Sequence, residues 1–303
     1  MAVKTVQYIF NGQTYNLSLN SSNGRYEATI TAPSKSSFSQ PGNKYGGTIK
    51  ATDNAGNTVT VNEKDSKLGE SLKIRVVEKT APVITITYPT ASGVLSNNKP
   101  TITWKVTDND SGVNPASIGI TIDSGSKITG DAIKKSPVLN GYECSYTPGT
   151  ALTDGQHTIR VDAADNDGNR AAQKSVTFKV DTVPPTLNIT SPQNDLVTNN
   201  QNITLSGTTN DASSSPVTLA YKLNGGSETP VTVGSNGEFS TTIKANIGSN
   251  SLVIIARDSA GKSTSVTRTF QVDTSAPVIR TITATPNPVD SGATFVISVE
   301  VTD

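Results

Sequence analysis

Two short signatures recur along the chain, and their spacing limits the fold more than any other feature. The first ends in proline: Glu78-Lys79-Thr80-Ala81-Pro82, Val180-Asp181-Thr182-Val183-Pro184-Pro185 and Val272-Asp273-Thr274-Ser275-Ala276-Pro277. The second is a turn: Asp53-Asn54-Ala55-Gly56-Asn57, Asp165-Asn166-Asp167-Gly168-Asn169 and Asp258-Ser259-Ala260-Gly261-Lys262. Pro82, Pro185 and Pro277 lie about 90 to 100 residues apart. A fixed period of that length marks one structural unit repeated, so the 303 residues form a series of small domains rather than one core.

The chemistry of both signatures points to strands. Proline cannot donate to a strand ladder and holds its predecessor extended, so it separates the strands of adjacent domains. In the turns, the aspartate carboxylate caps backbone amides while the glycine takes positive φ. Alternating runs flank them: Thr158 to Asp162 and Ser175 to Val180, then Ser251 to Ala256 and Val266 to Val272. Ile102, Trp104 and Val106 alternate with Thr101, Thr103, Lys105 and Thr107, which assigns Trp104 to a core. Asn11-Gly12, Asn23-Gly24 and Asn236-Gly237 are expected to make hairpin turns. No stretch keeps a 3.6-residue period, and apolar residues make up 33% of the chain, which suits strands with one wet face. The expected fold is all-β, in tandem sandwiches of the immunoglobulin type, which have this repeat length.

Several function classes fall away. Formal net charge is zero with no basic stripe, so no nucleic acid partner is expected. No apolar run is long enough for membrane insertion. Cys144 and His157 are the only residues of their kinds, which leaves little for triads or dyads, and no phosphate-cradling glycine loop is present. The chain is therefore expected not to be an enzyme. Cys144 reads as a buried structural thiol and His157 as a surface or edge residue. Met1 to Phe10 reads as a strand, not as a charged-then-apolar leader, which fits a removed signal or release on lysis.

The Val-Asp-Thr-x-x-Pro linker, the alternating strand after it and the Asp-x-Ala-Gly-Asn turn resemble bacterial Ig-like repeats. Those occur in surface adhesins and in tail or decoration proteins of phages. The resemblance implies a structural or adhesive role on a virion or at a cell surface, with other virion proteins or host-surface glycans as partners. A stalk segment of a bacterial adhesin is one alternative. A carbohydrate-binding module is another, and would want an exposed aromatic platform. Asp108-Asn109-Asp110 and Asp165-Asn166-Asp167 present oxygen ligands at alternate positions, the preference of calcium. Neither run continues to a glutamate at the twelfth position, so neither is an EF-hand. Asp181 and Asp273 stand in linkers, where some of the adhesin repeats that the chain resembles bind calcium that stiffens the joint. The candidate metal residues are thus Asp108, Asp110, Asp165, Asp167, Asp181 and Asp273, with solvated turn carboxylates as the competing reading.

Aligning the repeats divides the chain into 1–79, 80–182, 183–274 and 275–303. Tyr8-Ile9-Phe10-Asn11-Gly12 matches Tyr221-Lys222-Leu223-Asn224-Gly225, and Asn23-Gly24-Arg25-Tyr26 matches Asn236-Gly237-Glu238-Phe239. Glu300-Val301-Thr302-Asp303 matches Lys105-Val106-Thr107-Asp108. Residues 1–79 thus read as a sandwich lacking its first two strands, and 275–303 as those two strands. Ile279, Ile282, Phe295, Ile297 and Val299 would be buried only against a partner. The expectation is a head-to-tail oligomer formed by strand complementation, with a segment of a longer repeat array, or two flexible ends, as the competing reading.

Overall fold

The computed structural model describes residues 2–303. Strands make up its regular structure; the only helical elements among the described residues are 3-10 turns at Pro41–Asn43, Gly69–Leu72 and Gly130–Ala132. No described helix is long and apolar enough to cross a membrane. The chain divides into two compact units, Met1–Gly93 with Lys99–Lys179, and Val94–Asn98 with Val180–Asp303.

In the first unit, residues 80–93 and 99–179 form a module with two sheets, called below the 80–179 module. One sheet has the strand order Lys134–Val138, Gly141–Tyr146, Ile102–Thr107, Val83–Tyr88. The other places Gly119–Ile122 beside Gly155–Asp162, and that strand beside Lys174–Val180. Alternation puts Ile102, Trp104 and Val106 inward, and each is at most 1% exposed. Ile84, Ile118, Ile120, Ile159, Val161 and Phe178 are buried with them. Cys144 pairs across the ladder with Trp104 and is buried. Burial pushes its thiol up to about 11, so it carries no thiolate near neutrality.

His157 is not the surface residue expected from its strand. It is buried, with Nδ1 2.8 Å from Asp123 Oδ2 and Nε2 2.7 Å from the Thr153 carbonyl. Alternation along Gly155–Asp162 places it on the same face as Ile159 and Val161, and two polar partners satisfy its ring. Burial works against the charged ring, but the Thr153 carbonyl and Asp123 outweigh it and raise the pKa. A raised folded-state pKa adds stability below the unfolded value, lost as pH rises through the folded value. This module should therefore unfold at lower temperature at pH 8 than at pH 5.5, and His157→Gln should flatten that slope. Equal slopes in calorimetric melts of the two proteins would rule it out.

Residues 2–77 of the same unit form one sheet with the order Arg25–Glu27, Gln13–Asn20, Val3–Phe10, Tyr45–Asp53, Thr58–Asn62, and Lys73–Ile74 also pairs with Tyr45–Asp53. Asn11 and Gly12 both have positive φ, the two-residue hairpin turn expected of Asn-Gly. Phe10 is buried, stacked on Tyr8 at 5.4 Å and edge-on to Tyr45 at 6.0 Å.

The second unit holds a complete sandwich over 186–272. One sheet runs Thr186–Ser191, Asn202–Asn210, Glu238–Lys244. The other runs Leu196–Thr198, Ser263–Val272, Gly248–Arg257, Thr218–Leu223, Thr229–Val231. Ile203, Leu205, Leu219, Phe239, Leu252 and Ile254 lie in one buried cluster. Gly207 is obligatory here, because a Cβ would sit 2.0 Å from the Asn188 carbonyl oxygen. Asn236-Gly237 does not close a hairpin. It joins Thr229–Val231 to Glu238–Lys244, which belong to different sheets. A local turn signal specifies the bend but not which sheet the chain enters next.

Val278–Thr285 and Val296–Thr302 form a separate two-stranded ribbon. Opposed residues of an antiparallel pair share a face. Ile279 faces Val301, Ile282 faces Val299 and Ala284 faces Ile297, so one face is wholly apolar. Ile279, Ile282, Phe295, Ile297, Val299 and Val301 are all exposed.

Candidate cation-binding clusters

Each complete module gathers three carboxylates from three distant stretches of chain. In the 80–179 module, Asp108 directly follows the strand Ile102–Thr107, so the pleat that buries Val106 also carries Asp108 inward. Its Oδ1 accepts the Asp110 and Gly112 amides at 3.0 and 2.8 Å. Asp165 opens the turn after Gly155–Asp162, with Oδ1 accepting the Asn169 amide at 2.8 Å and Gly168 at φ 97°. Glu78 comes from the proline linker, its Oε1 accepting the Ser111 amide at 2.6 Å. Oxygens of Glu78, Asp108 and Asp165 lie within 4.8 Å of one another. Desolvation, joined by the charges of Asp108 and Asp110, pushes the Glu78 carboxyl above its usual range.

The second unit repeats this construction. Asp211 directly follows Asn202–Asn210, and its Oδ1 accepts the Ser213 and Ser214 amides, both at 2.8 Å. Asp258 opens the turn after Gly248–Arg257, its Oδ1 accepting the Lys262 amide at 2.8 Å. Asp181 comes from the proline linker, with Oδ1 accepting the Val183 amide at 3.1 Å and Oδ2 accepting the Ser214 hydroxyl. Oxygens of Asp181, Asp211 and Asp258 again lie within 4.8 Å of one another, and all three residues are buried. Among the described residues Asp258 Oδ2 has no hydrogen-bond partner, although the residue is only 8% exposed.

Three adjacent buried carboxylates repel one another and forfeit hydration, a cost of several kcal/mol per uncompensated charge. A proton or a bound cation relieves it. The donors are all oxygen, which selects a hard cation, and calcium holds oxygens at about 2.3–2.6 Å. Two ligands on opposite sides of such an ion stand about 4.6–5.2 Å apart, so the observed spacing leaves room for it. Calcium in the second unit would be held by Asp181, Asp211 and Asp258, with Asp258 Oδ2 as the oxygen that lacks any other partner.

The other expected ligands are placed differently. Asp110 accepts the Ser36 amide at 3.0 and 3.2 Å, and Asp167 accepts the Ser36 hydroxyl at 2.5 Å and the Glu78 amide at 3.1 Å. Arg75 approaches Asp167 at 3.7 Å. These two aspartates thus tie residues 35–78 to the end of the module that carries the Glu78 cluster. Asp273 accepts the Ser275 amide at 2.9 Å, as Asp181 does with Val183, and joins no cluster among the described residues. Reading by Asp-x-Asp runs missed Glu78, Asp211 and Asp258. The signal that finds them is positional: an acid four residues before the linker proline, an acid directly after the second long strand and the first acid of the glycine turn.

Residues 78–182 match the family model of the bacterial Ig-like domain. Residues 185–274 match that of glucodextranase, domain B. No curated protein sequence matches the chain. Among solved structures, the fibronectin(III)-like modules of Clostridium thermocellum CbhA are 19% identical over 63% of this chain and 94% of theirs, with a TM-score of 0.38. The titin fragment I67–I69 is 14% identical over 89% of this chain and 88% of its own, with a TM-score of 0.40. Sidekick-1 immunoglobulin domains 1–5 are 13% identical over 93% of this chain and 56% of theirs, with a TM-score of 0.39. With two-sheet modules in series and an Ig-like family match on the module at 78–182, the chain is an all-β protein built of tandem immunoglobulin-like sandwiches.

Proposed function

We propose that this chain is a non-catalytic structural or adhesive spacer displayed outside a cell, of the kind carried by virions and by bacterial surface stalks, whose modules are braced by calcium. The observation that supports this reading most is the repeated cluster. Both complete modules take one carboxylate from the linker before them, one from a strand end and one from a turn. An ion held this way fastens the linker to the module it enters, which suits a part that transmits force or keeps a fixed reach. It works best where calcium is abundant, which is outside the cell.

Melts in calcium and in chelator test the proposal. A ligand that binds only the folded state at 100 times its Kd adds about 2.7 kcal/mol of stability. The module spanning 186–272 should show this shift. Superimposable melts, with no heat of calcium binding by titration calorimetry, would end the calcium reading.

A further inference from the structure

We propose that the sheet formed by residues 3–74 is an assembly surface that takes the 278–302 ribbon of a second copy of this chain. The surface has two parts. Strand Arg25–Glu27 ends its sheet, leaving one hydrogen-bonding edge open. Behind it runs a groove of about 450 Å³ lined by Tyr8, Phe10, Leu17, Ile30, Ile49 and Ile74.

The 186–272 sandwich shows what such a surface receives. Its strand Glu238–Lys244 is the counterpart in sequence of the chain from Arg25 onward. It pairs with Asn202–Asn210, in the sheet opposite Thr229–Val231, whereas Arg25–Glu27 pairs with Gln13–Asn20 on one edge and is free on the other among the described residues. Thr186 pairs with Asn210 there, Val83 with Thr107 in the 80–179 module and Val278 with Thr302 in the ribbon. The ribbon is therefore the same strand pair, its apolar face uncovered.

Register follows from that sandwich. Thr208 pairs with Glu238 and Gly207 with Phe239, and Asp211 corresponds to Asp303. The equivalent pairs are Glu300 with Arg25, Val299 with Tyr26, Ile297 with Ala28 and Phe295 with Ile30. The parity agrees, since Ala28 and Ile30 line the groove and Val299 and Ile297 lie on the apolar ribbon face. The outward pair sets opposite charges directly across the new ladder, and a shift of two residues either way loses that match.

The same docking assembles a third carboxylate cluster, a point that rests on the calcium reading above. Asp53 matches Asp165 and Asp258: its Oδ1 accepts the Asn57 amide at 2.9 Å. Asp273 matches Asp181 in its bond to the amide two residues on. Asp303 directly follows its strand, as Asp108 and Asp211 do. Asp53 of one copy would thus join Asp273 and Asp303 of the other. The contact is head-to-tail and generates a ring or a filament.

Sedimentation velocity of the full chain in calcium tests this. Mass should grow with protein concentration. Arg25→Glu and Glu300→Arg should each weaken assembly severalfold, and the double exchange should restore it, with melts of the 186–272 module unchanged throughout. Asp303→Asn should remove the calcium dependence of assembly while leaving the calcium shift of the 186–272 module intact. A chain that stays monomeric, or a double exchange no better than the single variants, overturns the docking. Assembly indifferent to chelator overturns the third cluster alone. An absent calcium shift in the 186–272 module refutes the calcium reading without touching the charge-exchange result.

Discussion

Trp104→Ala is expected to destabilise the 80–179 module by about 3–5 kcal/mol, the usual cost of emptying a large aromatic site in a closed core. Trp104 is 1% exposed, with Ile102 and Val106 fully buried beside it on the inward face of the strand. Its cross-strand neighbours are Ile86 on one side and Cys144 on the other. Neither is large enough to fill the space left by an indole without moving the backbone. Trp104 Nε1 is buried with no hydrogen-bond partner among the described residues, so the native indole already carries an unmet donor. Trp104→Phe keeps most of the volume and removes that donor, and should cost far less than the alanine variant. Calorimetry of the three proteins measures the difference. Because Trp104 is the sole tryptophan, its emission also reports this module alone. A strongly solvent-quenched native spectrum, or an alanine variant as stable as the parent, would show an exposed residue.

Asp258→Asn is expected to change the 186–272 module in opposite directions with and without calcium. The substitution keeps Oδ1 as acceptor for the Lys262 amide and replaces the unpartnered Oδ2 with an amide donor. In chelator it removes one of three crowded charges and supplies a donor toward Asp181 and Asp211. Relief of an unmet buried group is worth about 1–3 kcal/mol, so the variant should melt above the parent. In calcium the order should reverse, since the parent gains a charged ligand and the variant offers a neutral one. Asp258→Ala would lose the turn cap as well and confuse the reading, which makes asparagine the informative change. Melts of parent and variant in both buffers test the reversal. If the variant lies below the parent in chelator, charge crowding at this site is not a cost.

The contrast between these two sites marks what was legible without a structure. Period-two alternation around Trp104 is a property of a single strand, and it correctly gave the inward face of Ile102–Thr107. Alternation is equally present around His157, yet the sequence reading places its ring at the surface and the structure buries it. The period says only that His157 and Ile159 share a face; that the face is buried depends on Asp123 arriving from a strand end 34 residues away to satisfy the imidazole. Asn11-Gly12 closed a hairpin because both flanking runs lie in one sheet, whereas Asn236-Gly237 links two sheets.

The sequence by itself determined the all-β class, the capped glycine turns and the core alternation, because each is written in residues within a few positions of one another. Only the tertiary structure decided which acids meet. Asp181, Asp211 and Asp258 converge because a sandwich returns its linker, one strand end and one turn to the same end of the module. That return is a property of chain topology: the sequence sets the acids at matching places of each repeat, and only the folded chain shows that those places meet. The burial that makes their charges costly, and the unpartnered Asp258 oxygen that makes a ligand valuable there, exist only once both sheets have closed.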